Sequence, residues 1–128
     1  MRNSIKISLV GLASAILLSG CFSSGPKDVV ENFVEALKSG DLKTIEKNST
    51  PETFALINMS LSMQCGNKVI STCMAEKSKN EVIKGYELLS ESETTAVVNV
   101  KSEINGKINT VKYNVIKTEN GWKVNLRK

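Results

Sequence analysis

Sulfur dominates the side chains of this sequence that could do chemistry. Met59, Met63, Cys65, Cys73 and Met74 fall in one short segment, Cys21 stands apart near the N-terminus, and the chain has no histidine. Thiolates and thioethers are the soft ligands that monovalent copper takes, and Met59 and Met63, four residues apart, share one face of a helix. The plainer reading is a core helix with flexible methionine filler. The missing histidine excludes more than the sulfur suggests. No Ser-His-Asp or Cys-His arrangement can form, the usual proton carrier near neutral pH is absent, and zinc loses its imidazole ligands.

Cys21 directly follows Leu18-Ser19-Gly20, after Arg2, Lys6 and an apolar run from Ile7 to Leu18. A run of about a dozen residues is too short to cross a hydrocarbon core of about 30 Å, which needs about 20. The arrangement resembles the bacterial lipobox, where a diacylglyceryl group joins the cysteine thiol and the chain is cut just before it. The resemblance implies a signal peptide over residues 1–20, a lipidated Cys21 with palmitate-like chains in a membrane, and a short tether over residues 21–25. Each buried CH₂ contributes about 0.8 kcal/mol, so two or three acyl chains hold stably where one does not. Four linker residues, Phe22 to Gly25, reach only about 15 Å at roughly 3.4 Å each, which keeps the domain close to the membrane. In enteric bacteria an aspartate after the cysteine retains a lipoprotein at the inner membrane. Phe22 therefore favours the outer membrane facing the periplasm, with the inner membrane and cell surface left open.

A cell-envelope location is oxidising. With Cys21 acylated, Cys65 and Cys73 are the two remaining thiols and form an even pair, so a disulfide is expected. It closes a short loop and contributes about 2–3 kcal/mol in the chain-entropy model. Residues eight apart on one continuous helix lie about 12 Å apart, beyond the roughly 7 Å a disulfide tolerates between Cα atoms. The chain must therefore turn between them, and Gly66-Asn67 is the natural place. The spacing is not Cys-x-x-Cys, so a redox-active pair is the weaker reading. A disulfide also removes the best copper ligands, and neither a metal nor a cofactor is expected.

Without residues 1–20 the chain has 108 residues, enough for one domain with its own core. Fifteen basic and thirteen acidic side chains remain, a balance of +2. Lysines are scattered among glutamates, as at Lys77, Lys79, Glu81, Lys84 and Glu87. A phosphate-binding stripe would be clustered and interleaved with aromatics, so nucleic acid is not an expected partner.

Helices come first along the chain. Pro26 suits a first turn after Ser24 or Gly25, and Val29, Val30, Phe33, Val34 and Leu37 recur at helical spacing until Ser39-Gly40. Asp41 caps a shorter helix that turns Leu42 and Ile45 inward, and Thr50-Pro51-Glu52 starts a third, with Phe54, Ile57, Leu61 and Met63 as its buried face. The segment 64–80 carries no clear pattern. The period then changes to two: 81–90, 94–104, 107–117 and 122–126 read as strands, with hairpin turns at Asn105-Gly106 and Asn120-Gly121. Helices followed by an antiparallel meander define an α+β domain over residues 26–128.

Two segments resemble small nuclear-transport-factor-2-like, or cystatin-like, domains. Phe33-Val34-Glu35-Ala36-Leu37-Lys38-Ser39-Gly40-Asp41 is similar to their helix-to-helix junction, and Asn120-Gly121-Trp122-Lys123-Val124 to their closing strand. The likeness is greatest to bacterial lipoproteins carrying an uncharacterised domain of this kind. It implies N-terminal helices packed on a curved antiparallel sheet of about four strands, a cone that Phe33, Leu37, Phe54, Ile57, Tyr113 and Trp122 either line as a pocket or fill. Filling is the commoner outcome, since cores pack to crystal-like density. Ketosteroid-isomerising enzymes of this fold use a carboxylate base inside the cone. Here Tyr86 and Tyr113 could face inward, but no carboxylate holds an inward strand position, and Glu103 shares a solvent face with Asn99 and Lys101.

The expectation is thus a membrane-anchored, non-catalytic binding or interaction module, engaging a protein partner, a second copy or a small apolar ligand. A pocket enzyme of the same fold, or an envelope assembly or protection factor, are the alternatives. Glu46-Lys47-Asn48-Ser49-Thr50 also resembles the extended acidic sequon of some bacterial N-glycosylation systems, which would make Asn48 an acceptor; Asn58-Met59-Ser60 lacks the upstream acid.

Overall fold

The computed structural model describes residues 25–126. The expected signal peptide and the lipidation site Cys21 lie outside the described residues. Four helices, α1 (Pro26–Ser39), α2 (Leu42–Lys47), α3 (Pro51–Cys65) and α4 (Ile70–Lys77), precede four strands, β1 (Glu81–Glu91), β2 (Thr95–Ile104), β3 (Lys107–Thr118) and β4 (Gly121–Val124). The strands form one sheet in the order β1-β2-β3-β4, every pair antiparallel. The α+β class expected from the pattern is the one observed. Among the described residues no helix is long and apolar enough to cross a membrane.

Local chemistry explains where each helix begins and ends. Pro26 opens α1, Asp28 lies in its first turn and Lys38 in its last, complementing the helix dipole. Asp41 caps α2: its Oδ1 accepts from the Thr44 N–H at 3.3 Å and its Oδ2 from the Thr44 hydroxyl at 2.7 Å. Thr50 caps α3, accepting from the Thr53 N–H at 3.2 Å. Gly40 ends α1 in the left-handed region at φ +71°. Its backbone also lies so close to α4 that a Cβ there would sit 2.7 Å from both the Ile70 carbonyl oxygen and the Ser71 Cα. Only glycine meets both demands.

The sheet packs its central strand against the helices. Ala96, Val98 and Val100 of β2 are buried, and Val98 and Val100 pair with Leu88 and Tyr86 of β1 and with Tyr113 and Val111 of β3. In β1 the alternation is broken by irregularities between Ile83 and Gly85 and between Leu88 and Ser90. Val82, opposite Glu103, therefore lies on the other face from Tyr86, opposite Val100, although strict alternation would put them together. Asn105 (φ 52°) and Gly106 (φ 84°) make the tight β2–β3 turn.

Phe33, Val30, Ile45, Val98, Val115 and Val124 are fully buried, and Trp122 nearly so. Phe33 meets Tyr113 edge-to-face, ring centroids 5.9 Å apart. The linker between α2 and α3 then stitches β4 to the helices. Ser49 bridges Val124 in parallel, the Val124 N–H donates to the Asn48 carbonyl at 2.8 Å, and the Thr50 N–H donates to the Val124 carbonyl at 3.0 Å. Thr53, fully buried, accepts at its hydroxyl oxygen from the Thr50 hydroxyl at 2.8 Å and from the Leu126 N–H at 2.9 Å.

Candidate functional site

The expected disulfide is present: Cys65 closes α3, Cys73 lies in α4, their Cα atoms are 5.8 Å apart and both are buried. The turn between them falls at Gly66, which leaves the helix at φ +60° with nothing within 4 Å of a Cβ position. The bond ties α4 to α3, while the Gly40 contact ties α4 to α1. The Ser78 hydroxyl, past the end of α4, donates to the Met74 carbonyl at 2.6 Å and approaches the Lys38 carbonyl at 3.0 Å, and the Lys38 ammonium donates to the Glu81 carbonyl at 3.2 Å. Four elements are thus fixed around one opening.

That opening is a cleft of about 270 Å³ between α1, α3, α4 and the start of β1. Leu37, Ile57, Leu61 and Met74 form apolar walls, and Lys38, Ser60, Gln64, Ser78 and Glu81 complete its lining. Of the six residues expected to line or fill a cone, Leu37 and Ile57 line this cleft. Phe33 and Trp122 belong to the filled core, with Phe54 and Tyr113 packed against it. Two shallower grooves adjoin the cleft. One, of about 460 Å³, runs along Leu56, Met59, Ser60, Met63 and Gln64; the other, of about 320 Å³, surrounds the disulfide with Gln64, Lys68, Glu76, Lys77 and Lys79.

One sequence reading is corrected here. Met63 is 79% exposed and does not belong to the buried face of α3, because that helix is apolar on both sides and only Thr53, Leu61 and Cys65 are fully inside. Asn48 is 9% exposed, and its side-chain amide donates to the Thr44 carbonyl at 2.8 Å, closing the end of α2. Among the described residues no three His, Cys, Asp or Glu side chains are placed to hold a metal.

Sequence reasoning missed α4, whose start has no side-chain cap to announce it, and the buried role of Thr53. A Thr-x-x-Thr spacing across the proline-started N-terminus of α3 was the one available signal for the latter.

Tyr86 and Tyr113 do face inward together. Burial, then the nearby Glu35 and Glu31 carboxylates, push the Tyr86 hydroxyl up to about 12. Burial and then Glu81 raise Tyr113. The Tyr86 hydroxyl is enclosed with no hydrogen-bond partner. Glu103, by contrast, lies on the outer face, where it pairs with Lys84 at 3.5 Å.

Four helices packed with an open four-stranded antiparallel sheet define a nuclear-transport-factor-2-like (NTF2-like) α+β domain. The crystal structure, at 2.00 Å, of a Campylobacter jejuni protein named as a candidate NTF2-like transpeptidase has this fold: TM-score 0.53 and 18% identity, over 81% of this chain and 100% of that one. The chain belongs to the family described as Domain of unknown function (DUF4878), whose model matches residues 19–125. No curated protein matches the sequence.

Proposed function

We propose that this chain is a lipid-anchored protein of the bacterial cell envelope, tethered through Cys21, whose NTF2-like domain is a non-catalytic binding module for a small, largely apolar ligand. The observation that carries this reading is the contrast between a core filled by Phe33, Trp122 and the sheet valines and a separate apolar-walled cleft at the α1–α3–α4 junction. A preformed apolar concavity with a few polar groups at its rim is the usual form of a small-molecule site. The two cysteines of the domain are bonded to each other and histidine is absent. Those two facts support binding over acyl or peptidyl transfer of the kind the Campylobacter jejuni protein's name suggests.

The anchor is tested by expressing the full chain in a bacterium fed a clickable palmitate. Label and membrane fractionation are expected for the wild type, with both lost in Cys21→Ser. Unlabelled wild-type protein would refute the anchor. The binding role is tested by native mass spectrometry of the protein released from envelopes. A retained apolar small molecule that is lost in Ile57→Asp supports it, and a clean apo mass throughout refutes it. The enzyme alternative draws on the unpartnered Tyr86 hydroxyl, and would be supported by a turnover activity that Tyr86→Phe abolishes without lowering stability.

A further inference from the structure

The three concavities meet at one residue of α3. Gln64 lines all three, and Ser60 lines both the cleft and the α3 groove. Around Gln64 the three differ in chemistry. The cleft is apolar at Ile57, Leu61 and Met74, the groove on α3 is apolar and methionine-rich, and the disulfide groove carries Lys68, Lys77 and Lys79 against Glu76 alone. Among the described residues the ion pair in that last groove is Lys68 to Glu76 at 3.8 Å, and Lys77 and Lys79 have no acidic partner there.

The α3 groove is one of the places where apolar surface stays in water, with Val82 and Ile108 of the outer sheet face another. Met63 is 79% exposed and Met59 56% on a helix whose sole charged residue is Glu52. Contiguous exposed apolar surface marks a binding site more often than an accident, and methionine adapts to aliphatic ligands of varied shape. A basic groove joined to an apolar one is complementary to a molecule with an anionic head and an aliphatic tail. The disulfide holds the two grooves in register, so this surface is formed before any ligand arrives.

We propose that the track running from the α1–α3–α4 cleft across Met59 and Met63 to Lys77 and Lys79 binds a single-chain anionic amphiphile, tail on α3 and head at the lysines. This rests on the binding-module reading and names its ligand class. A fatty acid and a lysophospholipid share the chemistry.

The test uses the full chain, produced in a bacterial envelope and reconstituted in zwitterionic phosphatidylcholine nanodiscs. Three diazirine-bearing probes are added and irradiated: a palmitic acid analogue, a lysophosphatidylglycerol analogue and the matching uncharged fatty alcohol. Label is expected on peptides carrying Met59, Met63 and Met74. Met59→Glu with Met63→Glu should cut it about tenfold for every probe, on the scale of lost apolar burial. Lys77→Glu with Lys79→Glu should cut labelling by the two anionic probes about three- to tenfold and leave the alcohol unchanged. All four positions are at the surface, and circular dichroism melts confirm that each variant folds. Labelling by one anionic probe alone identifies the source of the ligand and still supports the proposal. Label spread equally onto the outer sheet face at Val82 and Ile108 overturns it, as does loss of all head-group dependence. So does equal labelling of α3 by a diazirine phosphatidylcholine of the disc itself, which would make the surface a membrane-docking face. Failure of the protein to co-elute with the disc counts against the anchor and not against the track.

Discussion

Replacing Gly40 with alanine tests the close approach of the end of α1 to the start of α4. Two costs add at this position. The backbone sits at φ +71°, where a Cβ meets the following carbonyl at about 1–2 kcal/mol. The same Cβ would also lie 2.7 Å from the Ile70 carbonyl oxygen, 2.7 Å from the Ser71 Cα and 2.9 Å from the Ser71 nitrogen. All three are backbone atoms of α4, so the helix itself must move. Overpacking of this kind costs about 1–3 kcal/mol. The sum is about 2–5 kcal/mol, and each kcal/mol lowers Tm by about 4–8 °C for a domain of this size. Gly106→Ala separates the two contributions, since Gly106 has φ +84° and nothing within 4 Å of its Cβ position. Urea melts of the two variants should therefore differ by about 1–3 kcal/mol, with Gly40→Ala the weaker. Equal losses within about 0.5 kcal/mol would refute the backbone contact between α1 and α4.

Three further outcomes follow from the same geometry. Reducing the Cys65–Cys73 bond, or replacing both residues with serine, opens a loop of sequence separation 8; denaturant midpoints should fall by the equivalent of about 2–3 kcal/mol. An unchanged midpoint would mean the bond constrains nothing. Thr53→Val leaves the Leu126 N–H and the Thr50 hydroxyl without their buried acceptor, a loss of about 1–3 kcal/mol that hydrogen exchange should localise to Val124–Leu126. Tyr86 keeps its proton in the fold up to about 12, above its ordinary 10.0. The unfolded chain therefore loses that proton first, so its contribution to stability is intact below pH 10 and fades as pH rises toward 12. A phenolate absorbance titration should show both tyrosines titrating above the ordinary value, with the step near 12 absent in Tyr86→Phe; both tyrosines titrating together near 10 would contradict it.

Much of the fold was legible because its signals are local. Proline at the first turn of α1 and α3, the caps Asp41 and Thr50, the left-handed stop at Gly40 and the Asn105-Gly106 turn each act within a few residues, and each is found where the sequence places it. The disulfide was legible from cysteine count and the length of a helix. The faces of α3 were not. Phe54, Ile57 and Leu61 turn inward while Leu56, Met59 and Met63 stay in water, and a helix apolar on both sides gives periodicity no contrast to detect. The side of the sheet that Val82 occupies was likewise hidden, since a bulge after Ile83 is a tertiary event that alternation cannot announce. The cleft was only half visible for a related reason. Leu37 and Ile57 sit on helices that the pattern finds, whereas Met74 rides on α4, which begins without a cap.

The seam at β4 has a consequence for how the molecule comes into being. This four-residue strand is gripped from one side by β3 and from the other by the Asn48–Thr50 linker, and the residues that follow it reach back 73 positions to Thr53. Its side chains Trp122 and Val124 belong to the same core as Phe33 and Ile45. The helical half of the domain therefore stays unsealed until residues 121–126 are in place. Closing a loop of that span carries an entropic cost that only the completed core repays. Completion of the core therefore waits on a single four-residue strand, made after the helices and strands it joins.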